Sequence, residues 1–132
     1  MITIVARWET AQMPAEIEWQ LWRQLKGAFF IKQFNMVPVI PDFDRGNQVR
    51  QYDTIEEALE NAEGERAFLE PKGHRSMAHL PLGDIVLVLG DTNKNNLALA
   101  GDDETYRIET PGRTVLYGTN AVAIALAIRS GQ

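Results

Sequence analysis

Residues 84–90 read DIVLVLG, five consecutive apolar residues between an aspartate and a glycine. No polar residue interrupts the run, so both faces of an extended strand here would be apolar. Strands buried on both faces belong to parallel sheets covered on each side, whereas one-sided strands alternate apolar with polar residues. A parallel sheet needs crossover connections, usually helices. The rest of the chain is therefore expected to alternate strands with helices.

Reading outward supports that expectation. Ile2 to Arg7 (ITIVAR) is short and β-branched, a first strand. Met13-Pro14 opens a helix. Proline suits the first helical position, Glu16 and Glu18 favour the positive end of the dipole, and Gly27 is expected to stop the helix. Phe29 to Gln33 reads as the second strand. Met36 to Ile40 continues extended, because Pro38 and Pro41 resist helix. Residues 41–52 read as a polar loop. TIEE at Thr54–Glu57 is a capping box, opening a helix expected to end near Gly64. Arg66 to Glu70 is the third strand. Beyond the central run come short helices within 91–103, a fifth strand at Tyr106 to Ile108, and a last helix at Thr119 to Arg129. The order β-α-β-α-β-β-β-α predicts an α/β fold, one domain over 1–132, with a mainly parallel sheet and helices on both faces.

Composition narrows the function classes. A chain of 132 residues, 45% hydrophobic and 23% charged, can build one core without staples. Cysteine is absent, which excludes disulfides, thiolate metal sites and cysteine nucleophiles. The net charge of -5 excludes a general basic coat, though not a local basic patch. The start, MITIVARWET, lacks a signal peptide's long apolar run. AVAIALAI at 121–128 is too short to span a membrane. A soluble, cytoplasmic protein is expected.

Two helices carry more apolar surface than one sheet face can cover. Ile17, Trp19, Leu21, Trp22 and Leu25 span about 200° of the first helix, roughly twice the usual core stripe. Ala121 to Ile128 is apolar all round. A homodimer through the first and last helices, with Trp19 and Trp22 in the contact, is the expectation, and tight helix-on-helix packing within the chain is the alternative.

The common catalytic motifs are missing. There is no G-x-G-x-x-G and no P-loop. His74 and His79, five apart, do not stack on one helix face, so no metal site is expected. Ser76 and Ser130 lack a G-x-S-x-G context. The nine carboxylates from Asp42 to Glu70 read as a solvated surface. The last third is more informative. A strand ending in Gly90 lets a ligand approach the backbone, and Gly118-Thr119-Asn120 presents bare helix N–H groups among small residues. Ligands in open α/β sheets sit beyond the carboxyl ends of the strands. Leu69-Glu70, Leu89-Gly90 and Ile108 to Pro111 would converge there.

LVLG at 87–90, YRIETPG at 106–112 and LYGTNAVAIAL at 116–126 together resemble the carboxyl-terminal half of the SPOUT superfamily, in its SpoU-like (TrmH-like) branch of S-adenosylmethionine-dependent RNA methyltransferases. FLEPKG at 68–73 occupies the place of the third family strand and its loop. TNAV at 119–122 is the most specific match. The earlier half matches mainly in element order and length, as in the minimal single-domain tRNA ribose methyltransferases. The resemblance implies a trefoil knot, with the last helix threaded through a loop, and a homodimer through the first and last helices. By position it implies an S-adenosylmethionine pocket of Leu69, Glu70, Gly90, Ile108, Thr110, Pro111, Leu116, Tyr117 and Thr119.

The chain also departs from the family pattern. The family's Asn and Arg of the first motif fall near Ala15 and Leu21. Its Glu after the strand-Gly falls around Thr92-Asn93, and its Asn in the last loop near Tyr117. The groups that activate a ribose hydroxyl are thus replaced, and Arg23 and Tyr117 are the substitute candidates for catalysis, with Glu16 a weaker one. Arg45, Arg50, Lys72, Arg75 and Arg113 are the candidate RNA contacts. The leading expectation is a probable or divergent tRNA ribose methyltransferase. The alternatives are a non-catalytic knotted dimer holding S-adenosylmethionine or another adenosine ligand, and a purely structural dimer.

Overall fold

The computed structural model describes residues 1–91, 96–101, 104–108, 110–112 and 114–131. Its strands are β1 (Ile2–Arg7), β2 (Ile31–Val37), β3 (Arg50–Gln51), β4 (Glu65–Leu69), β5 (Arg75–Ser76), β6 (Ile85–Leu89) and β7 (Thr105–Arg107). Its helices are α1 (Ala15–Phe29), α2 (Ile55–Glu60) and α3 (Gly118–Ser130), with 3-10 turns at Gly46–Gln48, Met77–His79 and Leu97–Leu99. The strands form one sheet in the order β3-β2-β1-β6-β4-β7-β5. Every pairing in it is parallel.

The apolar run at 85–89 lies where its composition requires. All five residues of β6 are buried, between β1 and β4. Alternate residues divide the core in two. Ile4, Ala6, Leu87 and Leu89 pack with Trp19, Trp22, Val122 and Leu126, so α1 and α3 cover that face. Val5, Val86 and Val88 pack with Ile55, Ala58 and Leu59 of α2 on the other.

Several boundaries differ from expectation. Gly27 does not stop α1. Leu25 and Phe29 pack against the core and carry the helix past it, and the left-handed cap falls on Phe30 at φ 57°. A glycine inside a helix costs about 1 kcal/mol, which such packing outweighs. Phe29 therefore ends the helix, and β2 begins at Ile31. The strand stops at Val37, because Pro38 has no N–H to donate.

The 41–52 stretch is not all loop. Gln51 of β3 fastens it: Oε1 accepts from Ile40 N at 2.8 Å and Trp8 Nε1 at 3.3 Å, and Nε2 donates to Phe43 O at 2.9 Å. Thr54 caps α2 as expected, with Glu57 N donating to Thr54 Oγ1 at 3.2 Å, but the reciprocal half of the box is replaced by a long contact from the Thr54 hydroxyl to Glu57 Oε1 at 3.4 Å. That helix ends at Glu60, short of Gly64, whose φ of 139° turns the chain against the backbone of Asp84 and Ile85 into β4.

The tryptophans correct the interface expectation. Trp19 and Trp22 are 2% and 1% exposed within the single chain. Both stack edge-on against Phe34, with centroids 5.3 and 5.8 Å away. The wide apolar arc of α1 is largely used up by contact with both the sheet and α3. What remains exposed is Ile17 and Leu21 on α1 and Ile128 on α3.

Candidate functional site at the carboxyl edge of the sheet

β1 and β6 are neighbours whose onward connections part. The chain after β1 enters α1 on one face. After β6, the described segment 96–101 lies on the other, where Ala100 packs against the α2 cluster. Such a reversal opens a crevice at the carboxyl ends of the two strands.

On the α1 side of that crevice lies Glu18, 1% exposed. Its Oε1 accepts from Glu9 N at 2.6 Å and its Oε2 from Trp22 Nε1 at 2.9 Å. Burial pushes the Glu18 carboxyl up to about 7; the two hydrogen bonds oppose the rise, and the carboxylates of Glu9 and Asp91 add to it. Trp22 in turn supports the start of α3, since a Cβ at Gly118 would stand 3.5 Å from its ring.

On the α2 side, Glu70 is also buried and its Oε1 accepts from Asn96 N at 3.0 Å. Burial raises the Glu70 carboxyl and the Asn96 N–H opposes this. Arg7 Nη2 donates to Asn96 Oδ1 at 3.3 Å.

The segment after β4 is stitched onto β7. Glu70 N donates to Tyr106 O at 2.9 Å, His74 N to Thr105 Oγ1 at 2.9 Å, and Arg107 Nη1 to His74 O at 2.9 Å. Gly73 makes this possible: a Cβ there would stand 2.3 Å from the Tyr106 carbonyl carbon. At α3, the N-cap Tyr117 supplies no side-chain hydrogen bond, so the first N–H groups of the helix are uncapped. Thr119, in the first turn, is buried, and its Oγ1 has no hydrogen-bond partner. An uncapped helix start with an orphaned hydroxyl fits a polar ligand between β6, β7 and α3.

The sequence-derived residues fall into groups. Leu69 and Glu70 are buried at the end of β4, and Leu69 pairs with Tyr106. Gly90, Ile108 and Leu116 are half-buried, Thr110 and Pro111 exposed, and Thr119 buried. Leu69, Glu70, Gly90 and Ile108 stand at or just past the carboxyl ends of β4, β6 and β7. Glu70 is the exception to the solvated reading of the acidic stretch. Arg23 and Tyr117 are both exposed, and neither side chain has a hydrogen bond or ion pair with another described residue. Glu16 is exposed on α1.

The candidate RNA contacts do not form one patch within the chain. Arg45 lies over the Phe43 ring at 4.6 Å, and Arg50 belongs to β3 at one sheet edge. Arg50 also lines a 310 Å³ depression with Met1, Glu60 and Glu63, so two carboxylates share its surroundings. Lys72 and Arg75 lie at the opposite, β5 edge, roughly 29 Å away by ordinary strand spacing. Arg113, Thr92 and Asn93 lie outside the described residues. Sequence reasoning did not single out Arg7, Glu18 or Asn96 as site residues. Each looked like an ordinary polar residue, and only the strand order brings them to one crevice.

Among the solved structures similar to this one, two illustrate the likeness. The first is a candidate RNA methyltransferase from Bacillus anthracis, with TM-score 0.74 at 16% identity over 98% of this chain and 92% of that one. The second concerns the 2-OH methylation of C/U34 on tRNA, with TM-score 0.71 at 16% identity over 100% of this chain and 90% of that one. The chain shares their α/β fold. No family model matches the chain, and no curated protein sequence matches it. Among the described residues, no helix is long and apolar enough to cross a membrane, and no group of acidic or histidine side chains is placed to hold a metal.

Proposed function

We propose that the protein is an S-adenosylmethionine-dependent RNA methyltransferase of the SPOUT type, acting on tRNA ribose, with a trefoil knot at its carboxyl-terminal end. What supports this reading is the adjacency of β6, β4 and β7 in the sheet and the uncapped start of α3, whose Gly118 lies against Leu89 of β6, in a fold shared with RNA methyltransferase structures. S-adenosylmethionine supplies a methyl group on a sulfonium, which a nucleophile takes by direct displacement. The chain's own residues would bind and orient it. Leu69, Ile108 and Leu116 give apolar walls, Gly90 allows close approach, Thr119 and the α3 N–H groups offer donors, and Glu70, Thr110, Pro111 and Tyr117 complete the rim.

Ile17, Leu21 and Ile128, with Val115 and Tyr117 before α3, stay exposed and support a homodimer through α1 and α3. Arg45, Arg50, Lys72, Arg75 and Arg113 are the proposed RNA contacts, and the two edges they occupy would need a dimer or a long RNA to be engaged together.

A second reading, a knotted dimer that binds the cofactor or another adenosine ligand without methyl transfer, is favoured by one feature. Leu21, where the family places its activating arginine, is an apolar side chain. Calorimetry with S-adenosylmethionine and S-adenosylhomocysteine tests both readings: absence of binding removes the first, and leaves the second only for another adenosine ligand. Methyl transfer into bulk tRNA then separates the first from the second.

A further inference from the structure

Arg7 stands at the carboxyl end of the central strand β1, half-buried, at the point where the connections of β1 and β6 diverge. The one hydrogen bond of its guanidinium to a described residue is the long one from Nη2 to Asn96 Oδ1 at 3.3 Å. Its Nε is buried without a partner, and no described carboxylate forms an ion pair with it. Asn96 is 2% exposed, and its Nδ2 is likewise buried without an acceptor. The amide orientation is fixed, because turning it would point Nδ2 at the guanidinium. Two donors that share one hydrogen bond therefore both lack an acceptor.

Leaving a buried donor unpaired is costly, and more so for a charged group. A buried water could serve the amide, but it would leave the guanidinium charge without a counter-ion. We propose that Arg7 and Asn96 form an oxyanion site in the β1–β6 crevice that takes a phosphate group through Arg7 Nε and Asn96 Nδ2. A phosphate suits this pair because its oxygens diverge and can meet two donors that are not coplanar, with a charge opposite to that of the arginine. Glu70 sets the limit on the other side. Its carboxylate holds the Asn96 backbone N–H, so it anchors the amide and leaves the side chain to the ligand. The site does not depend on the methyltransferase reading. A free phosphate, a phosphomonoester and the phosphodiester of a nucleic acid all present this chemistry.

The test is nitrogen-15 NMR on the full chain, following the Arg7 Nε–H and Asn96 Nδ2 resonances. Inorganic phosphate and dimethyl phosphate are titrated separately at constant ionic strength. Both resonances are expected to move saturably with at least one probe. Saturation by dimethyl phosphate indicates a nucleic-acid backbone as the source, and saturation by inorganic phosphate alone indicates a free or terminal phosphate. Arg7→Gln and the near-isosteric Asn96→Asp should each weaken binding by at least about tenfold. If neither probe moves these resonances in the wild-type protein, or if folded Asn96→Asp binds as tightly as wild type, the proposal is overturned.

Discussion

Trp22 donates its indole N–H to Glu18 Oε2 at 2.9 Å, four residues back along α1, so the ring that supports α3 is itself held by a buried acid. The other Glu18 oxygen holds the backbone of Glu9, where the chain leaves β1. One carboxyl thus ties together the loop after the central strand, the first helix and, through the indole, the start of the last one.

This acid makes stability depend on pH. Its carboxyl is raised from 4.5 to about 7 by burial, so the folded chain holds the proton more tightly than the unfolded chain. The associated stability is present below pH 4.5 and is lost as pH rises to about 7, a change of about 3 kcal/mol. Urea unfolding at pH 5 and pH 8 should show this decline. Glu18→Gln should flatten it, and should also cost about 1–3 kcal/mol near pH 7, because an amide accepts through one oxygen only. The rise at Glu70 acts in the same direction and should persist in the variant. Equal slopes in the two proteins would rule Glu18 out as the source.

Neighbouring positions on α1 separate folding from assembly. Trp22 is core, so Trp22→Ala should cost about 3–5 kcal/mol at any protein concentration. Leu21 is 37% exposed, so Leu21→Glu should leave the unfolding midpoint of the isolated chain within about 0.5 kcal/mol. In sedimentation it should dissociate the proposed dimer. A wild-type protein that sediments only as a 14.9 kDa monomer would remove the dimer itself.

Two glycines should respond in opposite directions. A Cβ at Gly73 would stand 2.3 Å from Tyr106 C and 2.6 Å from its carbonyl oxygen, and backbone atoms cannot rotate away. Gly73→Ala must part the 70–74 segment from β7 and should cost about 3 kcal/mol or more. Gly27 has nothing within 4 Å of its Cβ position and lies inside α1. Gly27→Ala should therefore stabilise by about 0.5–1 kcal/mol. Denaturant midpoints for the two variants check both signs.

The parallel sheet was legible because DIVLVLG has no polar residue to face water, and because the helices between strands carry their own start signals at Pro14 and Thr54. The edge strands were not. β3 and β5 have two residues each, too few for any periodicity, and they form because Gln51 and the Gly73 turn bring them alongside longer neighbours. The tryptophans misled because an apolar arc shows how much surface needs covering, not what covers it; Phe34 from β2 does much of that. The carboxyl-edge site was readable as a set of strand ends. The Arg7–Asn96–Glu70 chain was not, since its members are 89 and 26 residues apart and meet only through strand order.

Neither substitute activator is held in place by a side-chain partner among the described residues. Arg23 is exposed, its side chain without a hydrogen bond to a described residue, and Leu21 cannot polarise a hydroxyl. Tyr117 stands at the N-cap of α3, close to where the donor would sit, but a phenol is a weak base at neutral pH. Removing an activating group typically costs about a hundredfold or more in rate. The protein is therefore expected to bind S-adenosylmethionine and to methylate total tRNA slowly. Arg23→Ala and Tyr117→Phe should each change that slow rate by less than about tenfold, because neither is held against a partner that would aim it. Tritiated methyl transfer, run with wild type and both variants after calorimetry has shown cofactor binding, decides the matter. Fast wild-type turnover that collapses in one variant would refute the weak-catalyst expectation and identify the residue that activates the acceptor.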